Sequence, residues 1–288
     1  MHAIEILADL YPRTVTEALQ FNTDDFNLIL ESNTLFFQIK DYLPLEERQY
    51  ILYKILPRLY RHAKKVYNLI DRSKYPKRVI YSPGLPWDLE NTITNYLLSG
   101  HSSFTYKHVI CEQRKPKENN VILLIDTSHS VLNHLKLIIL TSILFTMTVN
   151  LKDLAIISFD TQPNIIKAFS DSKIQTWDLI KNITNIRSGG KTNIFEALNV
   201  VKKEFSHRIS PKKTLIMISD LLATSGLDFL PILRRLPDIR IIITPRRQTL
   251  QLTAPLLGIL RRLPNIRLYP MPADERMIPN LLEHIIFD

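Results

Sequence analysis

The stretch Val121-Ile122-Leu123-Leu124-Ile125-Asp126-Thr127-Ser128-His129-Ser130 decides the fold of this chain. Its first five residues are all apolar, which indicates a buried strand, and a carboxylate and two serines follow within the next five. Polar side chains of this kind are typical of the loop between the end of a strand and the start of a helix. The stretch therefore predicts an α/β fold with this strand at the centre of a sheet.

Two later segments carry polar side chains at comparable places. Asp220 closes the apolar run 215–219, and Gly189-Gly190-Lys191-Thr192 stands before a predicted helix. In an open parallel sheet the carboxyl ends of the strands converge on one crevice, at the point where the strand order reverses. Asp126 and Asp220 can therefore meet although 94 positions separate them.

The side chains that would meet there are all oxygen donors, with neither imidazole nor thiolate among them. Such hard donors suit Mg²⁺, Mn²⁺ or Ca²⁺ better than zinc. Two carboxylates only neutralise a divalent ion and hydroxyls are weak ligands, so the metal would keep bound water and attract one more anionic oxygen. We therefore predict a metal that docks a partner, held by Asp126, Ser128, Ser130, Thr192 and Asp220.

This order of residues, Asp-x-Ser-x-Ser, then Thr, then Asp, resembles the metal-ion-dependent adhesion site (MIDAS) of von Willebrand factor A domains. The resemblance implies that the two serines bind the metal directly, that the threonine and the aspartates bind directly or through water, and that a partner's acidic side chain completes the octahedron. It also implies a doubly wound, Rossmann-like, mostly parallel six-stranded sheet over residues 121 to about 288. His129 departs from the many members that have glycine, and this departure concerns the shape of the loop.

The rest of the chain supplies the other strands of such a sheet. Two apolar runs joined by Asp160-Thr161-Gln162-Pro163 predict a hairpin, which would add an antiparallel edge strand. A nine-residue repeat, at 232–240 and 259–267, differs at one position and predicts a helix end, a proline turn and the start of a strand. The six predicted strands cover residues 121–125, 154–159, 164–169, 214–219, 239–243 and 266–269.

The N-terminal part shows helical spacing, so we predict a helical domain at 1–105 and the A domain at 106–288. Short helices are predicted around residues 15–19 and 26–30, and a longer one at 45–70 that Pro57 should kink or split. Asp88 is the predicted cap of a helix that Gly100 stops, with its polar side toward solvent. A strand is predicted at 106–112.

A second resemblance concerns Trp87-Asp-Leu-Glu-Asn-Thr-Ile-Thr-Asn-Tyr-Leu-Leu-Ser-Gly100 and Tyr106-Lys-His-Val-Ile-Cys-Glu-Gln-Arg114. These runs are similar to the segment before the A domain in CoxE-like cytoplasmic proteins, which are encoded beside MoxR-type AAA+ ATPases. The resemblance implies a non-enzymatic adaptor. The chain would recognise a target protein, and the ATPase would supply the work of maturation or remodelling.

Each motif also has another interpretation. Asp126 and the serines could simply cap a helix. Ser188-Gly189-Gly190-Lys191-Thr192 is similar to a phosphate-binding loop, but Asn185 stands where that loop needs glycine, and a predicted helix precedes it. Phosphatases with an aspartate nucleophile have Asp-x-Asp after a strand, whereas Ser128 stands in place of the acid–base carboxylate. A metal-dependent hydrolase is therefore the third hypothesis, and no catalytic residue is predicted.

The formal net charge of +9 is unevenly distributed. Residues 54–78 contain nine lysines and arginines and one acid, and residues 232–267 contain eight arginines and one acid. Such stretches favour acidic partners, although solvated helix faces would show the same composition. The alternative hypothesis is therefore a nucleic-acid-binding protein that grips phosphates with its basic helical region and uses the A domain for assembly.

Composition and local sequence favour a cytoplasmic protein without a membrane span. Cys111 is the only cysteine, so no disulfide forms within the chain. Residues 1–10 carry Glu5 and Asp9 and no basic segment, unlike a secretory leader. The uncharged run 137–151 has only 15 residues, below the roughly 20 that a membrane span needs, so we predict a buried core helix there.

Overall fold

The computed structural model describes residues 12, 36, 39–68, 77–81, 87–113, 120–171, 173–209, 212–223, 228–244 and 250–287. The short helices predicted around residues 15–19 and 26–30 lie outside this set. The strands are β1 (Lys77–Ile80), β2 (Ile110–Gln113), β3 (Asn120–Asp126), β4 (Leu154–Phe159), β5 (Pro163–Lys167), β6 (Lys213–Ser219), β7 (Asp238–Ile243) and β8 (Ile266–Pro270). The helices are α1 (Leu45–Tyr67), α2 (Leu89–Ser99), α3 (Leu135–Thr148), α4 (Thr176–Thr184), α5 (Ile194–Ser206), α6 (Leu230–Arg235), α7 (Leu250–Leu260) and α8 (Ile278–Phe287).

Six of these strands form the central sheet in the order β5-β4-β3-β6-β7-β8. All neighbours are parallel except β4 and β5, which are antiparallel and form the predicted edge hairpin. The chain builds the sheet outward from β3 to β5 and then returns to place β6 on the other side of β3. The mostly parallel six-stranded α/β sheet predicted from the sequence is confirmed, and its strand order reverses between β3 and β6.

Helices cover both faces of this sheet because its central strands are apolar on both sides. Every residue of β3 and β4 is buried. On one face Leu123 and Ile125 belong to a cluster with α3, α4 and α8. On the other face Ile122 and Leu124 belong to a cluster with α5, α6 and α7. The alternation of these side chains along β3 follows from the period of two in a strand.

Helix α1 adds a further layer on the first face. Its buried side chains recur at helical spacing, from Ile51 and Leu52 to Val66, and belong to the same cluster as the sheet residues of that face. Helix α1 packs against α3, α4 and α8. Helix α3 is consequently buried along most of its length, which confirms the predicted core helix. Among the described residues, no helix combines the length and the apolar character that crossing a bilayer requires.

Pro57 does not split the N-terminal helix, contrary to the alternative that the sequence left open. Helix α1 runs without interruption for 23 residues through Pro57. The proline ring lies on the exposed side of the helix, where a carbonyl that loses its amide partner can bond to water. The neighbours Leu56 and Leu59 are 3% exposed and hold the helix against the core on both sides of the proline.

A small antiparallel sheet precedes the central sheet, and the sequence patterns did not predict its first strand. Strand β1 pairs with β2, with Val79 opposite the buried Cys111. The strand predicted at 106–112 begins only at Ile110 because residues 106–108 form a turn. Since β1 lies before residue 105 and β2 after it, this pairing crosses the predicted domain division, which stays a prediction.

Helix α2 has the predicted caps, and it exposes apolar as well as polar side chains. The Asp88 carboxylate accepts a hydrogen bond from the Asn91 amide at 3.1 Å, and Gly100 ends the helix with φ of 66°. Its polar residues Glu90, Thr94 and Ser99 are exposed, so the polar side faces solvent as predicted. Leu97 and Leu98 are also 71% and 82% exposed, because the small sheet covers only one side of α2.

The nine-residue repeat has the structure that the sequence predicted. Its first copy runs from the end of α6 into β7, and its second copy runs from the end of α7 into β8. Strands β7 and β8 pair so that equivalent positions of the two copies face each other, Ile239 with Ile266 and Arg240 with Arg267. The repeat is thus one helix–turn–strand unit used twice at the edge of the sheet.

We expect the substitution Leu52→Ala to destabilise the whole chain, because Leu52 is 2% exposed and lies in the cluster that includes α3. The loss should be about 2–4 kcal/mol in the free energy of unfolding, measured by urea denaturation. The neighbouring substitution Tyr53→Ala is the matched control, since Tyr53 is 76% exposed. Separate transitions for α1 and the sheet, with the sheet unaffected by Leu52→Ala, would contradict this packing.

Candidate metal centre

Asp126 is the last residue of β3 and lies at the carboxyl edge of the sheet, next to the end of β6. Its carboxylate is fully buried. The oxygen Oδ1 accepts a hydrogen bond from the Ser128 amide at 2.9 Å, and Oδ2 accepts one from the Ser219 hydroxyl at 2.5 Å. These two bonds join the loop after β3 to the end of β6.

The pKa of Asp126 is raised to about 6, mainly by burial; the charge of Asp220 acts in the same direction, and the hydrogen bonds from Ser128 and Ser219 act against it. The charged form of this carboxylate is therefore costly in the protein alone. A cation beside the carboxylate would offset that cost. The electrostatics of this edge consequently favour a bound positive charge.

The hydroxyls of Ser128 and Ser130 lie 3.0 Å apart and hydrogen-bond to each other. Mg²⁺ prefers octahedral ligands at about 2.0–2.1 Å, and two adjacent ligands of such an octahedron are roughly 3.0 Å apart. The pair therefore already has the spacing of two neighbouring ligands. The side chain of His129 between them is exposed, so this residue leaves the spacing intact.

Residues 188–192, called here the threonine loop, connect helix α4 to helix α5 and approach the loop after β3. The Gly189 amide donates to the Thr127 carbonyl at 2.8 Å, and the His129 amide donates to the Gly190 carbonyl at 3.4 Å. Gly190 has φ of 72°, and a Cβ at this position would lie 2.6 Å from Thr161 Oγ1. Glycine is therefore required where the threonine loop passes the β4–β5 hairpin. Thr192 follows and is buried.

The threonine loop is not built as a phosphate-binding loop, because a helix rather than a strand precedes it. Helix α4 ends at Thr184, and α5 begins at Ile194 with Asn193 as its cap. The sequence interpretation against nucleotide binding rested on this order of elements, and the structure confirms that order.

Asp220 directly follows β6 and is 3% exposed. Its Oδ1 accepts a hydrogen bond from the Leu222 amide at 3.1 Å. Leu221 between them has φ of 60°, a left-handed conformation that costs a residue with a Cβ roughly 1–2 kcal/mol. The Leu221 amide donates to Ser219 Oγ at 2.9 Å and holds this turn in place. Strain of this kind is common at functional sites.

The structure thus brings the three segments that carry the candidate ligands to one edge of the sheet. Asp126 ends β3 and Asp220 directly follows the neighbouring strand β6, and the threonine loop hydrogen-bonds to the loop that carries Ser128 and Ser130. That all five oxygen donors hold one metal stays a prediction. The patterns missed Ser219, because a serine at the end of a buried strand carries no signal of its own.

Clusters of three or more histidine, cysteine, aspartate or glutamate side chains are not found in the part of the chain that the structure describes. The candidate centre would not form such a cluster, because only two of its five donors are carboxylates and the other three are hydroxyls. Its donor set is suited to a hard divalent cation rather than to a thiolate- or imidazole-bound metal.

Residues 121–223 match the sequence model of the von Willebrand factor type A domain. This match, together with the strand order, confirms the type of fold that the sequence predicted. No curated protein sequence matches the chain significantly.

Solved structures resemble parts of the chain at low sequence identity. Proximal thread matrix protein 1 from the mussel byssus, in a structure with a zinc-occupied MIDAS motif, is 16% identical over 58% of this chain and 47% of its own, with a TM-score of 0.44. A von Willebrand factor type A protein from Catenulispora acidiphila is 12% identical over 58% of this chain and 42% of its own, with a TM-score of 0.43. The conserved hypothetical protein BatB from Bacteroides thetaiotaomicron is 14% identical over 58% of this chain and 97% of its own, with a TM-score of 0.43. The chain spans less than half the length of the first two proteins.

We expect Asp126→Asn to stabilise the metal-free protein at pH 7, because it removes a buried charge while keeping the shape and the acceptor for the Ser128 amide. The gain should be about 1–2 kcal/mol in the free energy of unfolding, measured by urea denaturation with chelator present. Asp153→Asn, at the opposite edge of the sheet, is the control. A loss of stability in Asp126→Asn would show that the carboxylate is not strained by burial.

Proposed function

We propose that this chain is a divalent-metal-dependent, protein-binding adaptor. Its metal would be Mg²⁺, with Mn²⁺ or Ca²⁺ as alternatives, and its ligands would be Asp126, Ser128, Ser130, Thr192 and Asp220. The observation that carries the proposal is the 3.0 Å spacing of the Ser128 and Ser130 hydroxyls beside the buried carboxylate of Asp126. The match of residues 121–223 to the von Willebrand factor type A model supports a metal-dependent binding role.

The partner would offer a glutamate or aspartate side chain to this metal. When bound, the cation supplies a Lewis acid that attracts a further anionic oxygen. Asp126 and Asp220 together neutralise the two positive charges of the cation, and the hydroxyls are uncharged ligands. The chain's own residues therefore orient the cation without saturating it, which leaves affinity for an acid from outside.

We infer binding rather than catalysis from the partners of the hydroxyls. Ser128 and Ser130 hydrogen-bond to each other at 3.0 Å, and the carboxylate beside Ser128 is that of Asp126, a proposed metal ligand. The carboxylate of Asp126 accepts from the Ser219 hydroxyl and the Ser128 amide, which fix its orientation, and each of its oxygens can still bind a metal. As a metal ligand this carboxylate would not serve as a base for the serines.

The finer proposal places the adaptor in the cytoplasm beside a MoxR-type AAA+ ATPase. Its support is the CoxE-like resemblance of residues 87–100 and 106–114. In that role the metal would recognise an acidic side chain of the target, and the ATPase would supply the energy for maturation or remodelling. The two runs contact each other, because the Ile110 amide of β2 donates to Thr92 Oγ1 of α2 at 2.9 Å, so both belong to one small folded unit.

The alternative function, binding of nucleic acid, has one supporting observation. The solvent side of α1 carries Lys54, Arg61, Lys64 and Lys65, which are all exposed. Phosphate groups could bind along such a face. The adaptor proposal is preferred because the basic face lies on a regular surface helix, where solvated lysines are ordinary.

We expect Thr192→Val to weaken Mg²⁺ binding at least tenfold, because it removes a ligand hydroxyl and keeps the shape of the buried side chain. Isothermal titration calorimetry of the full chain with Mg²⁺ measures this change. Thr146→Val is the matched control, since Thr146 is also buried but lies in α3, where its hydroxyl donates to the Ile143 carbonyl. Equal affinity in the two variants would contradict the role of Thr192.

We expect chelator and Asp126→Ala to abolish capture of the protein partner from native lysate without unfolding the chain. Increasing salt should affect this capture only moderately, because a single docked carboxylate releases few counterions. Binding through the basic face of α1 would behave in the opposite way, falling steeply with salt and surviving chelator. Mass spectrometry of pull-downs with Mg²⁺ and with chelator separates the two. Capture that persists unchanged in chelator would contradict the adaptor proposal.

A further inference from the structure

The segment before helix α1 contacts the candidate metal centre through two neighbouring charged residues. Lys40 is fully buried and Asp41 is half-buried, although charged side chains are usually exposed. Both reach residues 184–188, more than 140 positions later in the chain. We call Lys40 and Asp41 the clamp.

Lys40 caps the C-terminal end of helix α4. Its Nζ donates hydrogen bonds to the Thr184 carbonyl at 3.3 Å and to the Ile186 carbonyl. The last carbonyls of a helix lack partners within the helix and carry partial negative charge, so a cation stabilises them. Burial lowers the pKa of Lys40 to about 8, and the charge of Asp41 acts in the opposite direction. The buried Lys40 therefore stabilises the C-terminal end of α4 at Thr184.

Asp41 holds the first residue of the threonine loop. Its Oδ2 accepts hydrogen bonds from the Ser188 amide at 2.9 Å and from the Ser188 hydroxyl at 2.6 Å. Its Oδ1 faces Arg48 of helix α1, with 3.9 Å to Nη1. Hydrogen bonds to a charged acceptor are among the stronger ones in proteins. The carboxylate therefore ties the threonine loop to α1.

The next residue after Ser188 already contacts the loop of the candidate metal centre. The Gly189 amide donates to the carbonyl of Thr127, which stands between Asp126 and Ser128. Two hydrogen bonds and one peptide link thus separate Asp41 from the metal loop. The far end of the loop is held by the β4–β5 hairpin, because the Lys191 amide donates to Thr161 Oγ1 at 3.0 Å and the Asn193 amide donates to the Asp160 carbonyl at 2.8 Å. Asp41 holds the near end, at Ser188.

A second contact joins α1 to helix α3, which follows the loop of Ser128 and Ser130 in the chain. His62 of α1 lies 3.3 Å from Glu275, and Glu275 lies 3.5 Å from Lys136. Lys136 is in the first turn of α3, the helix that follows Ser130. The hydrogen bond from His62 lowers the pKa of Glu275, which favours the charged carboxylate between His62 and Lys136. Helix α1 is therefore connected to both polypeptide segments that carry hydroxyl donors.

We propose that Asp41 is a positioning residue for the metal centre. Loss of its hydrogen bonds with Ser188 lowers the affinity of the centre for a divalent cation. The proposal rests on the proposed metal-binding function and adds its control by the N-terminal region. Coupling of this kind is reciprocal, so cation binding also tightens the contact between Asp41 and the threonine loop.

The test compares Mg²⁺ affinity of full-length variants by isothermal titration calorimetry. Asp41→Asn should weaken binding about tenfold, the equivalent of about 1.4 kcal/mol. Ser188→Ala, which leaves the charge in place, should weaken it roughly threefold, and the double variant should be no weaker than Asp41→Asn because the two residues form one contact. Ser188→Thr keeps the hydroxyl and should restore wild-type affinity. Asp178→Asn, an exposed acid on α4, is the control.

Hydrogen exchange of the metal-free protein gives a second readout. Amides of residues 188–192 should exchange faster in Asp41→Asn and Ser188→Ala than in the wild type, with unchanged exchange in β3. Wild-type Mg²⁺ affinity in both variants would overturn the clamp and leave the metal centre intact. A wild-type chain that binds neither Mg²⁺ nor Mn²⁺ would overturn the proposed function and the clamp with it.

Discussion

The parallel pairing of β3 with β6 is the constraint on which the rest of the structure depends. Its register sets Ile125 opposite Ile218, so Asp126 and Ser219 finish their strands side by side and their side chains hydrogen-bond at 2.5 Å. Parallel neighbours cannot be joined by a tight turn, so the intervening chain must cross over. That crossover carries β4, β5 and the helices α3 to α5, and it brings the threonine loop back to the same edge.

This edge is a polar site inside an apolar framework, and the framework offsets its local costs. Asp126 is buried as a carboxylate whose pKa is raised to about 6, and Leu221 has a left-handed backbone conformation. Neither feature stabilises the fold by itself. Both persist because two apolar clusters, one on each face of β3, fix the strands from which the loops extend. Such local departures from good folding chemistry are typical of functional sites.

The sequence predicted the parts of the fold that have a local signature. Apolar runs marked the strands of the central sheet, Asp88 and Gly100 marked α2, and the repeat marked the edge units. It did not predict β1, because Lys77–Ile80 is only four residues long. The candidate ligands were predictable because strand ends converge by topology. Their supports, Ser219 and Asp41, were not, since each acts through a contact with a distant residue that no local pattern encodes.

Anomalous diffraction from crystals of the full chain grown with Mn²⁺ tests the account most directly. We predict one strong peak at the carboxyl edge of the sheet, with the hydroxyls of Ser128 and Ser130 as adjacent ligands and with Thr192, Asp126 and Asp220 bound directly or through water. An anomalous map without a peak near Asp126, or with its only peak elsewhere on the surface, would contradict the account.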